Sequence, residues 1–168
     1  MVRLIEVDPA VEAATKAAVN AVWQRHMDTP TLVNLTFANT VALPMPDGSK
    51  KLVDAVYENS SNTILIAVGS FPEKYPDWPP EQMAVLCAGH ETRHKIQREI
   101  GDIGPSSNEL MANGTYYDSR HEVEAHISAV EAFIDVFPGE DVAFKADSDG
   151  SSHVYANYRG PDITIYVQ

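Results

Sequence analysis

The stretch from Pro79-Pro80 to Gly101 constrains the fold of this chain more than any other. Proline in the first turn loses no helical hydrogen bond and glycine past the last turn closes a helix, so the spacing predicts a helix from Pro79 or Pro80 to near Ile100. Asp77 is its expected cap, and Glu81 faces the positive end of the dipole. At about 100° per residue, Met83, Leu86, Cys87 and His94 fall on the side of His90, while Val85, Ile96 and Ile100 fall on another. A helix apolar on two faces is largely buried, and the remaining chain must wrap around it.

Within that helix stands His90-Glu91-Thr92-Arg93-His94, an HExxH motif. Residues four apart share one helical face, so both imidazoles can reach a single Zn²⁺ at ~2.0–2.1 Å, with Glu91 beside the bound water as general base. Two unpartnered histidines are awkward to bury beside Met83, Leu86 and Cys87, and a metal removes the difficulty. Cys87 itself reads as a small apolar residue.

A catalytic zinc site needs a third protein ligand. A further helix is expected from Asp118 or Ser119 to about Phe137, stopped by Pro138-Gly139. Its apolar stripe is Val123, Ile127, Val130, Ile134 and Phe137. Glu122 and His126 border that stripe, and Glu124 falls with Ser128, Glu131 and Asp135 on the solvated side. Glu122 is the expected ligand. Two alternatives stand beside it: a Ser119-x-x-Glu122 capping box would use the carboxylate locally, and His126 could be the ligand or an orienting partner.

The rest of the chain fits one α+β domain over residues 1–168, with a core at about 31–137 and a β hairpin and strand at 142–168. Asp8-Pro9 opens an alanine-rich helix to about Met27, where His26 would place positive charge at the negative end of the dipole. Thr31 to Phe37, Lys51 to Tyr57 and Thr63 to Val68 read as strands, expected antiparallel, with Pro44-Met45-Pro46-Asp47-Gly48 as turn material. Phe71 to Pro80, rich in proline, and Asp102 to Tyr117 are expected as loops. A hairpin around Asp147-Ser148-Asp149-Gly150 and a strand Ile163 to Val167 close the chain; those four residues resemble the start of a calcium loop but lack its downstream Glu. One cysteine excludes an internal disulfide framework, and 168 residues suffice for a core without one.

Lys and Arg total 12 against 24 Asp and Glu, so a formal charge of -12 repels phosphate backbones and anionic membranes. No apolar run reaches the ~18 residues of a membrane span, and Met1 to Pro9 lack the regions of a secretory signal, so a cytoplasmic setting is expected.

HExxH followed by Glu122-Val123-Glu124-Ala125, an E-x-x-A segment on a second helix, resembles the gluzincin metallopeptidases, in particular minimal ones of bacterial and phage genomes. The likeness covers Ile64 to about Phe137. It implies a zincin-like fold: a small, mostly antiparallel sheet with an active-site helix and a glutamate helix packed on it. It also implies zinc held by His90, His94 and Glu122, with Glu91 as general base in peptide-bond hydrolysis. The strand Thr63 to Val68 would pair with an extended peptide or protein substrate at a sheet edge. His126 stands where many gluzincins carry Asp, and Arg93 and Lys95 where many zincins are uncharged. Tyr116, Tyr117, His121 and His153 are candidate donors to an oxyanion. The alternatives to a peptidase are a degenerate zincin fold that binds a protein partner and a metal-free phage accessory protein.

Overall fold

A computed structural model describes residues 4–76, 78–116 and 119–139, together with the backbone of 153–156 and 163–166. Helix α1 (Pro9–His26) begins where Asp8 accepts a hydrogen bond from the Ala10 N–H at 2.8 Å. Val11, Thr15, Ala18, Val19 and Val22 recur at spacings of three and four and are buried on one side. His26 ends this helix, but burial and the nearby Arg93 lower its pKa, so the charged form expected there is disfavoured.

Five strands follow: β1 (Asn34–Phe37), β2 (Val41–Pro44), β3 (Lys50–Val53), β4 (Ala55–Glu58) and β5 (Thr63–Ile66). The order in the larger sheet is β1-β5-β4, with β5 antiparallel to β4 and parallel to β1. The strand pairing is mostly antiparallel, as expected, and departs from that at the β1–β5 pair. Residues 38–62, carrying a hairpin and β4, form the crossover that parallel pairing requires. The single strand expected over Lys51 to Tyr57 is two, broken at Asp54. The carboxylate of Asp54 accepts hydrogen bonds from Tyr75 Oη at 2.6 Å and Lys74 Nζ at 2.5 Å. β3 pairs instead with β2, which the sequence reading missed, and Met45 to Ser49 form the turn between them.

Helix α2 (Phe71–Lys74) occupies part of the segment expected as a surface loop. Phe71 and Trp78 are buried, since seating rings of that size takes a large apolar area out of water. The long central helix α3 (Pro80–Glu99) lies close to the expected bounds and is buried on most sides, packed against α1, β4, β5 and a later helix. Pro79 precedes it without a side-chain cap, and the expected cap Asp77 lies outside the described residues. Buried Lys95 on α3 places its ammonium 5.2 Å from the Trp23 ring and pairs with Glu99 at 3.0 Å, which supports a charge in an otherwise apolar seam.

Residues Asp102 to Tyr116, expected as loop, contain helix α4 (Ser107–Asn113), anchored by buried Leu110 and ended by Gly114 at φ 71°. Helix α5 (Arg120–Val136) buries Glu122, Ala125, Ser128, Ala129, Val130, Ala132 and Phe133. That face is turned by about a third of a turn from the expected stripe, and Ile127 and Ile134 are exposed. The cause is close packing. A Cβ on Gly89 of α3 would sit 2.8 Å from Ala132 Cβ and 2.9 Å from Ala129 Cα, so the helices meet through small residues and the larger aliphatics are turned outward. Glu122 thereby moves from the border of the buried face to its centre.

Strands β6 (His153–Ala156) and β7 (Ile163–Tyr166) pair antiparallel. The expected turn at Asp147 to Gly150 lies outside the described residues. Among the described residues, no helix is long and apolar enough to cross a membrane.

Candidate metal centre

Helical spacing on α3 places His90 Nε2 and His94 Nε2 3.1 Å apart. The first turn of α5 brings Glu122 Oε2 to 3.2 Å from the former and 3.1 Å from the latter. The three residues are the potential metal-holding group among the described residues. Four bonds of ~2.0–2.1 Å to a tetrahedral centre separate ligand atoms by about 3.3 Å, so the observed triangle fits a small ion without rearrangement of the helices. The donor set also suits one: two imidazoles and a carboxylate, with Glu122 only 1% exposed. Such a group could hold a metal ion.

Glu122 is not spent on capping. Ser119 is the N-cap of α5, as a capping box requires, yet its side chain makes no cap hydrogen bond. The second carboxylate oxygen of Glu122 accepts a hydrogen bond from Ser107 Oγ on α4 at 2.7 Å. Ser107 was invisible to sequence reasoning, because no periodicity or motif marks it. Its neighbour Asn108 donates from Nδ2 to the Pro44 carbonyl at 3.0 Å, tying α4 to the end of β2. Asp118, the other expected cap of this helix, lies outside the described residues.

The electrostatics follow from this packing. Burial opposes charge on His94, but the hydrogen bond and negative charge of Glu122, reinforced by Glu91, outweigh it and push the imidazole up to about 9. Burial likewise opposes charge on Glu122, yet hydrogen bonds from His90 and His94 hold its carboxyl well below the usual range. His126 behaves oppositely. Burial, with the positive charge of His90 behind it, pushes its ring down to about 3 and keeps it neutral. The His126 ring centre lies 4.5 Å from that of His90, and His126 is not part of the three-residue group. His94 takes its Nδ1 partner from its own helix, at Gln97 Oε1.

Glu124 corrects another expectation. It is half-buried rather than solvated, and meets Arg93 at 3.2 Å, Arg120 at 2.7 Å and Gln97 at 3.1 Å. The charged Arg93 thus meets an acid of the neighbouring helix through one of its terminal nitrogens.

The centre opens into a cleft of about 880 Å³ whose wall includes Ala55 to Tyr57 of β4, Tyr75, Met83 and Tyr116. Glu91 lines it too, buried, with Oε1 4.0 Å from His90 Nε2. Tyr116 Oη is 3.5 Å from His90 Nε2. His121 borders the cleft with Nε2 3.0 Å from Asp102 Oδ1. Tyr117 and the His153 side chain lie outside the described residues, and Cys87 is a buried thiol whose pKa burial raises. The expected docking strand is displaced. β5 is central, with neighbours on both sides, so its backbone groups are already paired and the cleft-side margin of the sheet is β4. Comparison of the chain with protein-family models, with curated proteins and with solved structures finds no match.

Proposed function

We propose that this protein is a zinc-dependent endopeptidase of gluzincin type, with a zincin-like arrangement of its active-site and glutamate helices. The observation that carries the reading is the convergence of His90, His94 and Glu122 to within 3.2 Å of one another at the floor of an open cleft, with Glu91 adjoining. His90, His94 and Glu122 would hold the ion. Zinc, when bound, supplies a Lewis acid that polarises the scissile carbonyl and eases ionisation of the attacking water.

The chain's own residues do the remainder. Glu91, fixed by burial beside His90, accepts a proton from the water at its carboxylate and delivers it to the departing amine nitrogen as the C–N bond breaks. Water adds hydroxyl to the carbonyl carbon and hydrogen to the amine, so the reaction balances. An extended substrate would lie along β4, where Ala55 to Tyr57 line the cleft.

The test pairs elemental analysis with turnover of an unstructured protein such as casein. One zinc per chain, cleavage by the wild type, and loss of cleavage with zinc retained in Glu91→Gln are expected. Zinc-loaded wild type that cleaves neither casein nor a random peptide library would reject the peptidase in favour of a partner-binding protein. Absence of zinc uptake would reject the metal site.

A further inference from the structure

The acids in the wall of the cleft are already engaged. Asp54 accepts from Lys74 and Tyr75, and Asp102 is gripped by Arg120 at 2.9 and 2.8 Å and lies 3.0 Å from His121 Nε2. Glu122 faces His90 and His94, and Glu91 is buried beside them. The lysines and arginine of the same wall are Lys51, Lys74 and Arg98. Lys74 is spent on Asp54. Lys51 on β3 and Arg98 on α3 are exposed, and among the described residues neither has an acid within ion-pair distance. Two uncompensated cations thus line one cleft in a chain of formal charge -12.

Other cations around the centre behave differently. Arg93 meets Glu124, Lys95 meets Glu99, and Arg120 meets Asp102 and Glu124. Arg98 differs from all three and is also placed to meet a substrate. β4 runs beside α3: the charge of Asp54 reaches Cys87 at one end, and the Tyr57 ring lies 5.8 Å from Lys95 Nζ at the other. Arg98 stands one turn past His94 on that axis, about 9 Å beyond the level midway between His90 and His94 at ~1.5 Å per residue. An extended peptide advances ~3.3 Å per residue, so a group two or three residues from the scissile bond comes level with the guanidinium. The planar guanidinium fits a carboxylate through two parallel hydrogen bonds.

We propose that the cleft takes acidic peptides, with Arg98 as the specificity-determining residue that pairs with a substrate carboxylate two or three residues from the cut bond, and with Lys51 adding positive charge from the hairpin. The carboxylate belongs either to an Asp or Glu side chain or to the end of the peptide chain. The part concerning cleavage rests on the proposed peptidase, whereas the capture of a carboxylate does not.

The experiment digests a proteome-derived peptide library with the zinc-loaded full chain and reads the cut sites by mass spectrometry. Wild type is expected to enrich a carboxylate about 3–10-fold at one position two or three residues from the cut, and less in about 0.5 M salt. A side-chain source gives Asp and Glu at that position anywhere along the peptides. A chain-end source gives cuts confined to two or three residues from the C-terminus, and synthetic peptides with an amidated C-terminus abolish them. Arg98→Met should erase the enrichment and Lys51→Met should reduce it without moving it. Arg98→Glu should exchange it for Lys and Arg, a reversal that loss of structure cannot produce.

A wild type without preference for a carboxylate overturns the proposal, as does a preference unchanged in Arg98→Met. If zinc-loaded wild type cuts nothing, the peptidase fails and capture is read instead by fluorescence anisotropy of dye-labelled hexaglutamate against hexaglutamine. Tighter binding of hexaglutamate that Arg98→Met removes sustains the carboxylate site, and equal binding of the two overturns it.

Discussion

Gly89→Ala tests whether the centre depends on the closeness of two helices. The added Cβ would sit 2.8 Å from Ala132 Cβ, 2.9 Å from Ala129 Cα and 3.0 Å from the Ser128 carbonyl oxygen. Ordinary carbon contacts are ~3.5–4.0 Å, and two of these atoms are backbone, so no rotamer change relieves the clash and α5 must retreat by about 0.7–1 Å. His90 and His94 stay on α3 while Glu122 travels with α5. Its present separations of 3.2 and 3.1 Å would widen toward about 4 Å, past the ~3.3 Å between neighbouring ligands of a tetrahedral ion. Overpacking costs ~1–3 kcal/mol, and alanine returns ~1 kcal/mol of helix propensity, so the net loss of stability is about 0–2 kcal/mol. Zinc affinity should fall more, by tenfold or beyond. Chelator competition and thermal melting of the same preparations measure both. A variant that binds zinc as tightly as wild type and melts no lower would refute the claim that the small-residue seam sets the position of Glu122.

Glu122→Gln keeps the shape of the third ligand but removes its charge; zinc affinity is expected to drop at least a hundredfold, and chelator competition checks it. In the metal-free protein the raised His94 contributes stability that is complete below its ordinary value of 6.5 and is lost as pH rises toward about 9. The depressed Glu122 contributes stability present above its ordinary 4.5 and lost as pH falls below it. Urea unfolding should therefore give a maximum between the two, with an alkaline slope of up to about 1.4 kcal/mol per pH unit, and a flat profile from pH 6.5 to 9 would contradict the coupling. Saturating zinc should abolish the alkaline slope, because the bound ring carries no proton on Nε2. Ser107→Ala leaves Glu122 Oε1 without its donor and should weaken zinc binding about tenfold with little change in secondary structure by circular dichroism.

The parts of the site that follow helical periodicity could be read directly. His90 and His94 sit one turn apart in a helix whose proline and glycine ends are explicit, and Glu122 lies near the start of the next long helix. What escaped the reading depends on contacts between distant segments. The largest apolar residues of α5 mark one stripe, yet the packed face is formed largely by Ala125, Ala129 and Ala132, of which Ala129 and Ala132 allow the close approach to Gly89. Glu124 looked solvated because its cationic partner Arg93 belongs to the other helix. Strand β2 was hidden by the neighbouring turn residues, and the parallel pairing of β1 with β5 has no local signature. The prolines around Trp78 and Phe71 point to a surface loop, but proline limits backbone shape and says nothing of where an aromatic ring points, and both rings are buried.

Helix α4 joins the rim of the cleft to its floor. Asn108 grips the end of β2 at Pro44, while the adjacent Ser107 grips the buried carboxylate of Glu122. Two neighbouring side chains on one short helix therefore join the end of β2 to the carboxylate of Glu122. A displacement of the hairpin would therefore be felt first by the short helix that also steadies Glu122.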